Sequence, residues 1–246
     1  MVRAIASLGV CVLVAVYGQT APGPRFEVAS VKPSGADPSS TSGIYTGHGR
    51  LDAHNVTLKR CIMGAYGVGP HQISEGPDWL DSDRFQILAN ADQPINDDAV
   101  LMAMLQGLLT ERFHLVLHRE TRTMPALILE VGKGPKLERA AAGEASTNTS
   151  TNNSGVTIEA RNTGMNLFAQ VLARNMDLPV VNHTELAGIF NFKLHWTPDS
   201  TRLAAGAADE ASLFTAIQEQ LGLRLRSQKA PVEVLVIDRV EKLSGN

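Results

Sequence analysis

The chain has few of the residues on which several common kinds of protein depend. Of its 246 residues only two are cysteines, and only 5% are aromatic. One cysteine, Cys11, lies in the N-terminal segment, which leaves Cys61 alone in the remainder, and one cysteine forms no internal disulfide. The net charge is −3, so no overall basic field favours nucleic acid as a partner. These shortages exclude a disulfide-stapled domain and a broadly basic surface for nucleic acids.

The N-terminal apolar run is too short to cross a membrane. It extends from Ala4 to Tyr17 and follows a single cation, Arg3, whereas a spanning helix needs about 20 apolar residues. A cation, a short apolar run and small residues are typical of a secretory signal peptide. We predict a signal at residues 1–18, cleaved after Gly18. The protein is then exported, periplasmic or secreted, and meets a membrane only if the signal stays as an uncleaved anchor.

Cys61 has the sequence context of a buried residue. It lies in a helical pattern with Leu58, Ile62 and Met63, and no base stands beside it in the sequence. A nucleophilic cysteine needs a group that lowers its pKa. We therefore expect Cys61 to be a small buried hydrophobic residue.

One pattern of residues occurs twice along the chain. The segments "GRLDAHNVTLKRCIMGAYGV" and "GVTIEARNTGMNLFAQVLARNM" each read as an alternating strand, an Asn, a Thr and an amphipathic helix. Both halves then continue in the order strand, helix, strand, strand. This repetition predicts an α+β fold of two tandem related modules, residues 26–138 and 155–243. Each module is expected to be a mixed β-sheet with two helices on one face.

Shorter sequence patterns predict the linker between the modules, two hairpins and the end of a helix. Residues 139–154 are small, polar and of low complexity, which predicts a flexible linker. In the first half, "FHLVLHRET" and "MPALILEVG" flank "TRTM" and predict a hairpin. In the second half, "LRLRSQ" and "VEVLVIDRV" flank "KAP" and predict another. The helix before that second hairpin is expected to end at Gly222.

Long segments of the chain resemble the soil-associated bacterial protein family. They include "FEVASVKPS", "QISEGPDWLDSDRFQILANA", "MLQGLLTERFHLVLHRETRTMPALILEVGKGPKL" and "SLFTAIQEQLGLRLRSQKAPVEVLVIDRVEKLSGN", and together they span nearly the whole mature chain. The resemblance implies export and a shared fold, and it brings no catalytic residues. Related domains attached to membrane sensor peptidases imply a link to envelope signalling.

The chain departs from that family in "VVNHTELAGIFNFKLHW". Asn182, Glu185 and Asn191 stand where Asp, Gly and Asp are usual, so a cation or ligand site built on those acids would be lost here. The repeat unit also resembles the short N-terminal domains of secretins and TonB-dependent receptors, which are periplasmic binding and docking modules. That similarity is one of pattern, and a fold does not determine a function.

The sequence shows no motif for a catalytic, cofactor-binding or metal site. It has no nucleophile elbow, no His-Glu-x-x-His and no cysteine pair. We therefore predict a non-catalytic binding module of the cell envelope or extracellular space, with an envelope protein as its partner. The expected contact surfaces are open strand edges. They carry Arg224 and Arg226 in the second half and His118, Arg119 and Glu120 in the first.

Two alternative functions stay open. The first is an extracytoplasmic sensor that binds a small molecule or a cation in the groove between the modules, at loops 69–83 and 182–189. Such a ligand would stabilise the fold in a saturable way. The second is an extracytoplasmic hydrolase, in which His183 or Glu185 would be required for turnover.

Overall fold

A computed structural model describes residues 24–35, 41–143, 145–152, 155–198 and 212–243, so the predicted signal peptide lies outside the described residues. The described part contains helices and strands in an α+β arrangement, as predicted. The helices are α1 (Leu58–Tyr66), α2 (Trp79–Ser82), α3 (Asp98–Phe113), α4 (Met165–Ala173) and α5 (Leu213–Leu221). The strands of the first half are β1 (Val28–Pro33), β2 (Gly43–Gly47), β3 (Arg50–Thr57), β4 (Ile73–Ser74), β5 (Arg84–Asn90) and β6 (Val116–Val131). Those of the second half are β7 (Glu138–Arg139), β8 (Ser146–Asn152), β9 (Gly155–Thr163), β10 (Val180–Asn182), β11 (Phe190–Trp196) and β12 (Leu223–Arg239).

Two outer sheets have matching strand orders. The first runs β1-β5-β3-β2 and the second β7-β11-β9-β8. Alternate residues of β3 and β5 are buried against α1 and α3, and those of β9 and β11 against α4 and α5. Period-2 burial on the strands and an apolar stripe on each helix explain why each sheet is covered on one face.

A third sheet joins the two halves in the order β10-β6-β12-β4. Strands β6 and β12 pair antiparallel along their whole lengths, from Leu223 opposite Val131 to Arg239 opposite Val116. Strand β10 of the second half lies parallel to β6 of the first, and β4 of the first lies parallel to β12 of the second. The halves thus share a sheet, whereas the repeat predicted a separate sheet for each.

The two predicted hairpins are wrong. Residues 116–131 and 223–239 are each one continuous strand that passes through "TRTM" or "KAP" without a turn. Neither segment has the Asn-Gly or Asp-Gly pair that a tight hairpin favours. Pro231 interrupts no ladder, because it sits opposite Thr123 at a position whose backbone faces away from β6.

The stretch predicted to be a flexible linker contains β8. All seven residues of β8 pair antiparallel with β9, from Ser146 opposite Arg161 to Asn152 opposite Gly155. Almost every side chain of β8 is exposed. A strand at a sheet edge with solvent around it needs no apolar side chains, and Thr favours extended backbone. The polar composition therefore did not reveal the strand.

The repeated Asn marks the same irregularity in both halves. Asn55 has φ 50° and Asn162 has φ 49°, in the left-handed region that Asn tolerates better than most residues. Each lies in a bulge, where β3 slips against β5 and β9 slips against β11. The bulge turns the chain from strand into helix, because α1 and α4 each begin three residues later. Duplication as the origin of this match stays a prediction.

Gly222 ends α5 as predicted. It has φ 67°, and its N–H bonds the carbonyl of Ile217. A Cβ at this position would collide with the carbonyl oxygen of Gly134. The close approach lets the Gly222 carbonyl accept a hydrogen bond of 2.9 Å from the Gly132 N–H at the start of the β6–β12 ladder.

Replacement of Gly222 should therefore destabilise the protein far more than replacement of a helical glycine. We expect Gly222→Ala to lower the free energy of unfolding by about 2–4 kcal/mol, through strain and the collision. Gly107→Ala, in open space inside α3, should raise it by up to about 1 kcal/mol. Urea unfolding measures both. Equal effects of the two variants would contradict this account of Gly222.

Cys61 is fully buried in the first core, and burial raises the pKa of its thiol to about 12. We expect no reaction with a thiol reagent such as DTNB while a Cys11→Ser chain is folded, and reaction of one thiol per chain in denaturant. Absorbance of the released thiolate measures this. Rapid labelling of the folded chain would show that Cys61 is accessible.

Candidate functional site

Strands β6 and β12 carry the predicted edge residues. Each of them is an inner strand at one end of the central sheet and an edge strand at the other. Where β10 flanks β6, residues 126–129 of β6 are buried, and their partners on β12 are half-buried or exposed. At the other end β4 flanks β12, residues 234–237 of β12 are buried, and β6 becomes the exposed strand. Both segments chosen from the sequence therefore lie at sheet edges.

Hydrogen-bonded and non-bonded positions alternate along the β6–β12 ladder, and this alternation shows which backbone groups of β12 face away from β6. Gly222 opposite Gly132 is a hydrogen-bonded position, so bonded positions recur at every second residue from there. The backbone groups of Leu225, Ser227 and Lys229 then point away from β6. Within the described residues no strand pairs with them. This run of free backbone groups ends at Pro231, because proline has no backbone N–H to donate.

The side chains at the β12 edge leave a positive charge. Arg224 donates to a carboxylate oxygen of Glu130 at 2.7 Å, and Arg226 lies 2.9 Å from the other oxygen. Hydrogen bonding by Arg224, with the charge of Arg226, holds the pKa of Glu130 below its ordinary value. Two cations share one anion, and Lys229, exposed three residues further along on the opposite face of β12, is a third cation of this edge. Because these cations are exposed, each pair contributes little to stability.

The charges at the β6 edge are balanced. His118 lies 3.0 Å from Asp238 across the strands, and Arg119 forms an ion pair with Glu233. Glu120 accepts a hydrogen bond of 2.7 Å from the guanidinium of Arg122. The five predicted residues form two separate patches, since the Arg224 partner Glu130 lies twelve residues from His118, roughly 40 Å along a strand.

A cleft of about 330 Å³ lies between the two halves. Its walls are the C-terminal end of α1 and the outward face of α4, and its floor is formed by β10 and β12. Among the edge residues it includes Arg119, paired with Glu233. The groove of the sensor hypothesis coincides with it in part, at Gln72 and Asn182.

Two of the amide side chains that line the cleft, Gln72 and Asn182, use both their oxygen and their nitrogen in hydrogen bonds within the protein. Gln72 accepts from the Gly69 N–H and donates to the Glu233 carbonyl. Asn182 donates to the side-chain oxygen of Asn166 at 2.7 Å and accepts from Thr184. The sequence pointed to loops near this place, but it did not identify the α4 residues, because α4 reads simply as an amphipathic helix.

The residues of the hydrolase hypothesis are not brought together. His183 and Glu185 are both exposed, and in the described structure no hydrogen bond or ion pair joins them. Glu185 has φ 56°, in the left-handed region that glycine adopts most readily. Asn191 has a structural contact instead, since its side-chain oxygen accepts from the Asn162 N–H in the bulge.

Two features are absent from the described residues. Over the described residues, no group of three or more His, Cys, Asp or Glu side chains is placed to hold a metal ion. Within the same residues, no helix has the length and apolarity needed to span a bilayer.

Comparison with known families gives one match. Residues 59–240, about three quarters of the chain, match DUF3738, described as a protein of unknown function. The chain belongs to the DUF3738 family. No curated protein and no solved structure matches it. The DUF3738 match spans both halves, including the central sheet and the cleft, and it assigns them no activity. Soil association and similarity to secretin domains stay predictions.

The His118–Asp238 contact predicts a titration. The hydrogen bond that the His118 ring donates to the Asp238 carboxylate raises the pKa of His118 above its ordinary value, helped by the nearby charges of Asp238, Glu120 and Glu75. A raised folded-state pKa means that the contact stabilises the fold fully below the unfolded pKa. This contribution is lost as the pH rises through the folded pKa. NMR titration should place the His118 midpoint above about 6.5.

Two variants test the cause of this shift. Asp238→Asn should lower the midpoint of His118, because it removes the charged acceptor. Asp81→Asn should leave the midpoint unchanged, since the Asp81 carboxylate lies 3.0 Å from Lys59 and does not act on His118. A midpoint that does not move in Asp238→Asn would contradict the assignment.

Proposed function

We propose that this chain is an exported, non-catalytic binding module, which docks an extended segment of an envelope or extracellular protein on the free edge of β12. The observation that carries the proposal is the run of outward backbone groups at Leu225, Ser227 and Lys229. An edge of this kind can accept another strand, whose main-chain hydrogen bonds supply affinity. Because the edge ends at Pro231, it has room for a segment of about six residues.

The charge of this edge favours an acidic partner segment. Arg224, Arg226 and Lys229 outnumber Glu130, while the cations of the β6 edge already have anionic partners. Complementary charge speeds encounter and sets the register of a bound strand. The β12 edge is thus a better docking surface than the β6 edge, although both have unpaired backbone.

Charged residues on an edge also discourage self-association. An exported location, expected from the N-terminal segment, would supply envelope proteins as partners.

The test compares one proline on each edge. Ser227→Pro removes an outward N–H from the β12 edge, and Thr121→Pro removes the matching N–H from the β6 edge. Both positions face away from the partner strand, so neither variant breaks the β6–β12 ladder. The tagged full chain captures partners from envelope extract, and mass spectrometry identifies them.

A partner that docks here should bind the original chain and Thr121→Pro, and bind Ser227→Pro more weakly by roughly tenfold or more. Arg224→Glu with Arg226→Glu should weaken it further. Hydrogen exchange of the complex should slow at residues 225–229. Equal binding by Ser227→Pro, or protection confined to another surface, would refute docking on β12.

A further inference from the structure

The cleft between the halves has the chemistry of a ligand site that strand docking does not use. Both halves build it. Tyr66 and Gln72 come from the first half, and Asn166, Gln170 and Glu233 come from the second. Its volume of about 330 Å³ falls within the range of small-molecule sites. A site at the junction of two packed halves is also a common place for a ligand.

Three polar groups of the cleft have hydrogen-bonding capacity to spare. The Tyr66 hydroxyl and the half-buried Gln170 amide make no hydrogen bond within the described part of the chain, and the Asn166 side chain uses only its oxygen. Burial raises the pKa of Tyr66, so its hydroxyl keeps its proton and can donate. Gln170 lies against Gly67, the residue that follows α1, where a Cβ would be 3.1 Å from the Gln170 amide oxygen.

The charges of the cleft cancel. Arg119 and Glu233 pair with each other, and the remaining polar side chains are neutral. An anion would have to compete with Glu233 for Arg119, and a cation would have to compete with Arg119. A neutral ligand has no such competitor, so the electrostatics favour a molecule without net charge.

Among the apolar residues that line the cleft, Pro231 is exposed, whereas Val180 and Ala169 are buried in the core of the second half. Val232 is buried with Val181 on the other face of the central sheet. Polar side chains therefore supply most of the groups that a ligand would contact. Amides and hydroxyls donate and accept at once, and they match ligand groups that do the same. A ligand that carries several hydroxyls complements this polar lining.

We propose that the cleft binds a neutral, hydroxyl-rich ring compound, of the size of a mono- or disaccharide. Its hydroxyls bond Tyr66, Gln170 and Asn166, and its C–H groups lie against Pro231. The cleft does not include Ser227, so Ser227→Pro should leave sugar binding unchanged.

The test uses the full chain and defined sugars. Calorimetry measures binding of the neutral sugars D-glucose, N-acetyl-D-glucosamine and cellobiose, and of charged D-gluconate and D-glucosamine. At least one neutral sugar should bind saturably, with a Kd of about 10 mM or tighter. The two charged sugars should bind more weakly than D-glucose, because the Arg119–Glu233 pair leaves no free charge.

Substitutions place the sugar in the cleft. Gln170→Ala and Tyr66→Phe should each weaken binding by roughly three- to tenfold, the effect of one lost hydrogen bond. The control Gln218→Ala removes an exposed amide from α5, away from the cleft, and should change binding less than about twofold. Thermal unfolding should show that all three variants fold, since none of these groups bonds another part of the described protein.

Three results would overturn the proposal. The first is the absence of saturable binding by all three neutral sugars up to about 50 mM. The second is tighter binding of gluconate than of glucose, which would identify an anion site. The third is sugar binding that Gln170→Ala and Tyr66→Phe leave unchanged, which would place the sugar elsewhere.

Discussion

The pairing of β6 with β12 is the constraint on which the rest of the structure depends. The two strands come from different halves of the chain, and they pair along their full lengths with Met124 opposite Ala230 at the centre. Each end of this ladder supports one outer sheet with its helices. Leu127 and Leu129 of β6 belong to the core of the second half, and Leu235 and Ile237 of β12 belong to that of the first. A fault in the ladder would therefore loosen both cores at once.

The same pairing creates both candidate surfaces. Because the short strands β10 and β4 cover opposite ends of the ladder, each long strand is central at one end and an edge at the other. The halves also meet at its middle, where α1 and α4 face each other and leave the cleft. An edge for a protein segment and a cleft for a small molecule are thus two products of one topology.

Local charge distinguishes these surfaces more than overall composition does. The chain as a whole is close to neutral, with a net charge of −3. At the β12 edge two arginines share Glu130, which leaves a cationic strip, while at the β6 edge and in the cleft each charge has a partner. Arginine therefore leaves a net positive charge at the β12 edge and is neutralised at the β6 edge, depending on which residues lie opposite it in the ladder.

The sequence by itself determined the elements that local residues control. The α+β class, the repeated strand–Asn–helix signal, the burial of Cys61 and the end of α5 at Gly222 follow from periodicity and from backbone preferences that act over a few residues. Position at a sheet edge could also be read from the charged and exposed character of "LRLRSQ" and "HLVLHRE".

Only the tertiary structure decided how these pieces pair. Each of the long strands β6 and β12 has one mostly exposed part and one mostly buried part. In the sequence these two parts look like the two separate strands of a hairpin. That difference comes from the flanking strands β10 and β4 of the other half, which are distant along the chain from the strands they cover. The strand β8 and the α4 wall of the cleft were hidden for the same reason, since pairing partners and opposing walls are set by contacts between distant residues and leave no mark in any local pattern.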